Sequence, residues 1–328
     1  MKTRKLGVNG PEVSAISMGS RMITDDVASI QSAKKQTIET LQYAIDAGIN
    51  FLNTADFYGM GLSEMLIGEA IKDRRDKVFI SVKTGALRDY KGHFLGLDAR
   101  PNAIKNFCAY SLTRLGVDHI DLLQPSRIDP DVPIEETIGA IKDLIEEGKV
   151  RYAGLSEASA EHLIRANKVY PISALEIEYS LATRFIENEI LPTARELGVS
   201  IVPYSVLSYG LLTGNLTFPL PQGDYRNMLP RFQEENRAHN LELIDFLKDM
   251  ASQKNVSASQ LALAWALHQG DDIIPIVGMN KPKRVDENIE ALSIELSSDE
   301  LDLLNKTFAI GAMKGDRYPP ALQKMAAS

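Results

Sequence analysis

Two short segments, Asn53-Thr54-Ala55-Asp56-Phe57-Tyr58-Gly59 and Ser81-Val82-Lys83-Thr84-Gly85, carry residue types that do proton chemistry. Each reads as a β-strand running out into a loop, so Tyr58 and Lys83 are expected at neighbouring strand ends. An ammonium beside a phenol favours the ionised form of the phenol, and such a pair suits the delivery of a proton to a substrate carbonyl. The histidines, His93, His119, His162, His239 and His268, are scattered without ligand spacing, and no metal site is expected.

The elements that must position this pair are legible along the chain. Short apolar runs at Val13–Met18, Ile49–Asn53, Val78–Val82, His119–Leu123, Arg151–Leu155, Ala174–Ile177, Ser200–Pro203 and Ile273–Val277 read as strands. Between them lie amphipathic patterns at Lys34–Ala47, Ser63–Lys72, Pro101–Leu115, Ile134–Glu147, Ser159–Val169, Ile186–Leu197 and Ser257–His268. Gly48, Gly116, Gly148 and Gly198 each follow a helical run, as a C-terminal cap does. Eight strands joined by helices predict a parallel sheet closed as an α/β (β/α)8 TIM barrel, one domain over 1–328. The competing doubly wound sheet calls for a glycine-rich phosphate fingerprint after the first strand, and Met18-Gly19-Ser20-Arg21 is not one. In a barrel the strand C-terminal ends carry function, and Tyr58, Lys83, Arg127, Ser156 and Tyr204 all fall there. An Asn9-Gly10 turn predicts an N-terminal hairpin plugging the barrel bottom, and long loops at 85–100 and 205–238 are expected to overhang the top.

Composition narrows the class of partner. The chain has 328 residues, 44% of them hydrophobic, and a net charge of −8, which disfavours nucleic acid. Cys108 is the only cysteine, so no internal disulfide forms and a reducing, cytoplasmic setting is expected. No apolar stretch approaches the roughly 18 residues of a membrane span. Oligomeric state is not legible.

Several of these segments, in this order, resemble the aldo-keto reductase family, in its bacterial and fungal aldehyde-reducing branch. The likeness runs from Arg4-Lys5-Leu6-Gly7 through Asp56-Phe57-Tyr58-Gly59 and the stretch from Gly148 to Ser159 to Asp286-Glu287-Asn288-Ile289-Glu290-Ala291-Leu292. The resemblance implies four catalytic positions, an aspartate, a tyrosine, a lysine and a histidine. Tyrosine and lysine match Tyr58 and Lys83, but the aspartate position holds Asn53 and the histidine position holds Ser126. Loss of the aspartate removes a counter-charge, so desolvation is expected to lower the Lys83 pKa; if Lys83 stays charged, the site instead becomes more positive, and the sequence leaves both open. Loss of the histidine removes a donor to the carbonyl, at a cost of about 10²–10³ in rate. His93, on the loop after the third strand, and Asp56 are weighed as replacements; alternation along the strand sets Asp56 off the Asn53 face.

The resemblance further implies NADP(H) as cofactor. Ser156, Glu157 and Glu176, the last where relatives have glutamine, match the carboxamide contacts, and Tyr204 the ring on which the nicotinamide stacks. Gly19, Ser20 and Arg21, the loop residues Ser205, Leu207 and Gly210, and Gly278, Met279, Asn280, Arg284, Glu287 and Asn288 complete the implied site, with Arg284 offering a charged fork to a 2′-phosphate. Val206 and Tyr209 stand where relatives often have proline and arginine. The implied substrate is a small aldehyde or ketone, with Phe57, Leu87, Tyr90, Phe94, Arg127 and Tyr209 at the mouth and the tail Arg317-Tyr318-Pro319-Pro320 over it. Two alternatives stand beside carbonyl reduction: altered chemistry on the same cofactor, such as reduction of an activated C=C or oxidation of an alcohol, and a weakly active NADPH-binding regulatory or sensor protein. The latter resembles potassium-channel β subunits in its replaced histidine.

Overall fold

Strands rich in β-branched and aromatic residues, buried on both faces, need cover on both sides, and a closed parallel barrel wrapped by helices supplies it. The computed structural model describes residues 1–20, 27–323 and 326–327, without side chains at 27–33 and 321–322. In chain order the strands are β1 (Thr3–Lys5), β2 (Glu12–Ser14), β3 (Ser17–Gly19), β4 (Phe51–Ala55), β5 (Phe79–Thr84), β6 (Ala86–Arg88), β7 (Phe94–Leu97), β8 (Ile120–Pro125), β9 (Val150–Ser156), β10 (Ile172–Glu178), β11 (Ser200–Tyr204) and β12 (Ile276–Gly278). Eight of them form one parallel sheet in the order β11-β10-β9-β8-β5-β4-β3-β12. A parallel bridge between Ile201 and Ile273 joins its two ends, so the sheet closes as a (β/α)8 barrel.

Two apolar clusters separate the faces of the barrel wall. Leu52, Ile80, Val82, Leu123, Leu155 and Ile177 pack outward against the helices. Their neighbours Phe51, Phe79, Leu122, Ala174, Val202 and Ile274 pack inward, together with Leu6 and Val13 of the N-terminal hairpin. That hairpin, β1 against β2, therefore closes the bottom of the barrel with side chains. Two residues further along four of these strands the inward positions turn polar: Asn53, Ser81, Gln124 and Glu176. The barrel is thus dry below and polar above.

Most expected elements are present with boundaries shifted by a residue or two, and Pro101–Leu115 forms as predicted; the helix expected from Lys34 starts at Val27, Ile186–Leu197 divides into a short turn and the helix Ile190–Glu196, and the strand expected from Ile273 starts at Ile276. Gly116 ends that helix at φ +66°, its N–H bonded to the Leu112 and Thr113 carbonyls, a conformation glycine adopts without Cβ strain. Two readings are corrected. Val13–Met18 is not one strand, because the chain turns at Ala15-Ile16 from the hairpin into the barrel: the Ala15 N–H bonds back to the Lys2 carbonyl, and the Ser14 hydroxyl donates to the Ile16 carbonyl. The overhanging segments are also more ordered than bare loops. Residues 85–100 hold the antiparallel pair β6–β7, and the long helix Glu234–Gln253 begins inside 205–238. Among the described residues no helix is long and apolar enough to cross a membrane.

Candidate active site

Register brings the proton-bearing groups to one end of the barrel. Asn53 lies opposite Ser81 and Ala55 opposite Lys83 across the β4–β5 pair, and Lys83 lies opposite Gln124 across β5–β8. Tyr58 begins a short turn, Tyr58–Gly61, directly after β4, with Gly59, Met60 and Gly61 all at positive φ. A Cβ at Gly61 would meet the Arg114 side chain at 2.6 Å, so the sharp turn that presents Tyr58 needs a glycine there. Lys83 Nζ lies 5.3 Å from the centroid of the Tyr58 ring. The two groups the sequence singled out do meet.

What holds Lys83 decides between the two states the sequence left open. Its Nζ donates to Asn53 Oδ1 at 2.7 Å and forms an ion pair with Glu176 Oε1 at 2.9 Å, reaching across the lumen from β5 to β10. Glu176 Oε2 also accepts from Asn53 Nδ2 at 2.7 Å and from Gln124 Nε2 at 2.6 Å. The lysine has therefore kept a carboxylate despite Asn53. Burial alone would lower its pKa, but the Glu176 charge, with Tyr58 behind it, more than offsets that and leaves Lys83 above the ordinary lysine value.

Asp56 points away from this group, as alternation predicts, and is bonded to Thr84 Oγ1 at 2.6 Å. Burial is the main cause raising its pKa to about 7, against the hydrogen bond from Thr84. Its ordinary value is 3.8, so between about pH 4 and 7 the folded protein keeps a proton that the unfolded chain gives up, and stability falls as pH rises through that window. Asp56→Asn is expected to remove the penalty. Its gain over the native protein should grow from nothing near pH 4 to on the order of 4 kcal/mol above pH 7, read by urea melts at both pH values. A gain independent of pH would show that Asp56 is not protonated in the fold.

Ser126 follows β8, with its N–H bonded to the Thr84 carbonyl at 2.7 Å and its buried Oγ lacking a partner among the described residues. His93 lies far out on the β6–β7 hairpin, its side chain 71% exposed and its Nδ1 2.9 Å from Asp89, so it does not replace a catalytic histidine.

The residues expected to contact a cofactor gather at the same barrel end but divide by availability. Ser156 Oγ, buried at the end of β9, has no partner among the described residues. Glu157 is fully engaged: Oε1 accepts from the Glu178 N–H, Tyr204 Oη and Arg317 Nη2, and Oε2 accepts from the Ala327 N–H. Arg317 and Arg127, acting against burial, hold the Glu157 carboxyl below its ordinary range. Tyr204 Oη also lies 2.7 Å from Tyr318 Oη, so the C-terminal tail folds into the mouth. This tail network, with Arg317 also paired to Glu178 at 2.9 Å, was not read from the sequence beyond the position of Arg317 and Tyr318. Tyr90, expected at the mouth, is 87% exposed, whereas Arg88 stacks on Phe57 and Phe94.

Gly19 ends β3, and the Ser20 N–H bonds to the Asn53 carbonyl at 3.0 Å; Arg21 lies outside the described residues. After β11 the loop carrying Ser205, Leu207 and Gly210 runs through left-handed backbone at Ser205, Ser208, Tyr209 and Gly210. Three of these are not glycine, and such strain is characteristic of loops shaped to hold a ligand. Gly278, Met279 and Asn280 lead from β12 into the helix Pro282–Glu290, which carries Arg284, Glu287 and Asn288. Arg284 is paired with Glu287 at 2.6 Å, both at the surface.

The family model described as the aldo/keto reductase family matches residues 15–308. The probable aldo-keto reductase 1 of Glycine max is 41% identical over 317 residues, spanning 96% of this chain and 91% of that protein. A glycerol dehydrogenase from Gluconobacter oxydans superposes with a TM-score of 0.85 at 28% identity, over 97% of this chain and 98% of its own. An aldo/keto reductase from Klebsiella pneumoniae, solved in complex with NADP and acetate, superposes with a TM-score of 0.75 over 97% and 99%; at 24% identity this last likeness is one of fold.

Proposed function

The chain belongs to the aldo/keto reductase family, and on that premise we propose that this oxidoreductase reduces a small aldehyde or ketone to the alcohol with NADPH, Tyr58 giving the proton. The observation that carries the proposal is the contact between Lys83 and Tyr58 at the C-terminal barrel end, with Lys83 kept cationic by Glu176. Tyr58 donates to the substrate oxygen. Lys83 favours the phenolate left behind, and Asn53 and Ser126 are support residues altered from the family pattern.

When bound, NADPH supplies the hydride that no side chain can. Residues present here fit it. The Ser156 hydroxyl, unpartnered among the described residues, suits the carboxamide, the Tyr204 ring the nicotinamide face, the left-handed backbone at Ser205, Ser208, Tyr209 and Gly210 the pyrophosphate, and the helix start after Gly278-Met279-Asn280 the adenosine phosphate, with Arg284 beside it. Glu176 does not fit the glutamine role, since its oxygens already serve Lys83, Asn53 and Gln124.

Phe57, Arg127 and Tyr209 at the mouth favour a small aromatic or polar carbonyl over a long lipid chain. Because Ser126 is too short to hold the carbonyl as histidine does, Ser126→His is expected to raise kcat on simple aldehydes about 10²-fold with NADPH affinity unchanged. Steady-state rates on an aldehyde panel read this directly. No gain would mean that the substrate sits differently over the nicotinamide, which favours altered chemistry on the same cofactor.

A further inference from the structure

We propose that Glu176 is the carboxylate that positions and keeps charged Lys83 in this chain, supplying from position 176 the counter-charge that position 53 lacks, with Asn53 as a neutral bridge between the two. The inference deepens the reductase reading and rests on it for its rate predictions.

Three features of the geometry carry it. First, the Glu176 oxygens face only donors: Lys83 at 2.9 Å, Asn53 Nδ2 at 2.7 Å and Gln124 Nε2 at 2.6 Å, an environment that suits a carboxylate accepting on both oxygens. Second, Asn53 uses both ends of its amide, accepting from Lys83 and donating to Glu176. An aspartate could accept but not donate, and at position 53 it would set two carboxylates 2.7 Å apart beside one lysine. Third, the resemblance implies a carboxylate at 53 and an amide at 176, whereas this chain has the amide at 53 and the carboxylate at 176, and the two side chains touch. The pair is self-consistent only as a pair.

Glu176 is a positioning residue: it acts on the reaction through Lys83 and does not touch the transferred proton. Its effect should therefore appear in the titration of Lys83 and in kcat more than in KM.

The experiment compares the native protein with Glu176→Gln, Asn53→Asp and the double exchange Asn53→Asp/Glu176→Gln, each checked by circular dichroism. The Lys83 ammonium is titrated by NMR of lysine-labelled protein without cofactor, and kcat and KM are measured with NADPH and an aldehyde. In Glu176→Gln the Lys83 titration should fall by at least about one pH unit and kcat by about 10²-fold, KM changing little. In the double exchange both should return, kcat to within about 10-fold of native. Asn53→Asp alone should lose activity, because two carboxylates in contact cannot both ionise freely and one retains a proton; it carries the test if Glu176→Gln does not fold. The proposal is overturned if Glu176→Gln leaves the Lys83 titration and kcat as in the native protein, if the double exchange restores neither, or if Asn53→Asp is more active than native. Should the native protein itself fail to oxidise NADPH, the reductase reading fails, and the Lys83 titration alone decides this inference.

Discussion

Tyr58→Phe is expected to cut NADPH-dependent aldehyde reduction about 10³-fold, because it deletes only the hydroxyl that gives the proton and leaves the ring in place. The ring packs edge-on to Phe57 at 5.1 Å and beside Lys83, contacts that phenylalanine keeps, so fold and NADPH affinity should be little changed. The loss should fall on kcat, as it does for an interaction made only in the transition state. Stopped-flow rates with saturating NADPH read it. A fall of less than tenfold would remove Tyr58 from the role of proton donor.

Lys83→Met should be more damaging, since it strikes both chemistry and fold. It removes the cation that supports the phenolate, and it leaves the buried Glu176 carboxylate with only the Asn53 and Gln124 amides. Removing one partner of a buried ion pair costs about 3–5 kcal/mol, so a clear drop in melting temperature should accompany a rate loss of about 10³-fold. The pH dependence has a definite sign. The Lys83 pKa is raised in the fold above its ordinary 10.5, so its contribution to stability is fully present below about pH 10 and is lost as pH rises through the folded value. The destabilisation of Lys83→Met should therefore be constant across neutral pH and shrink only in strong alkali. A variant as stable as the native protein at pH 7 would show that the Lys83–Glu176 pair contributes nothing net.

The barrel and the tyrosine–lysine pair were legible because their signals are local. Buried strands read as short β-branched runs, helix ends announce themselves in glycines such as Gly116, and the Tyr58 and Lys83 motifs each sit within a few residues of a strand end. The partner of Lys83 was not legible in the same way. Glu176 lies 93 residues away on a strand that does not pair with β5, and the contact crosses the lumen, where no periodicity reports who faces whom. One signal did exist. By the resemblance, Asn53 stands where an aspartate and Glu176 where a glutamine is expected, and read together they suggest an exchange; read singly, Asn53 leaves the charge of Lys83 open, and the geometry decides for a charged lysine.

The tail network escaped for a related reason. Arg317 sits 160 residues from Glu157, and nothing near it in sequence marks the carboxylates it meets. The helix Glu234–Gln253 was hidden by its opening run Glu234-Glu235-Asn236-Arg237-Ala238-His239-Asn240, whose polar residues read as loop although Asn240 and Ile244 are buried.

The most direct test of the account is a single turnover of the purified protein loaded with NADPH, mixed with a panel of small aldehydes that includes pyridoxal, while the reduced-nicotinamide absorbance is followed in the native protein and in Tyr58→Phe. Aldehyde-dependent loss of that absorbance is expected in the native protein, and its near absence in the variant. Tight NADPH binding with no oxidation by any aldehyde, or equal oxidation in both proteins, would contradict it.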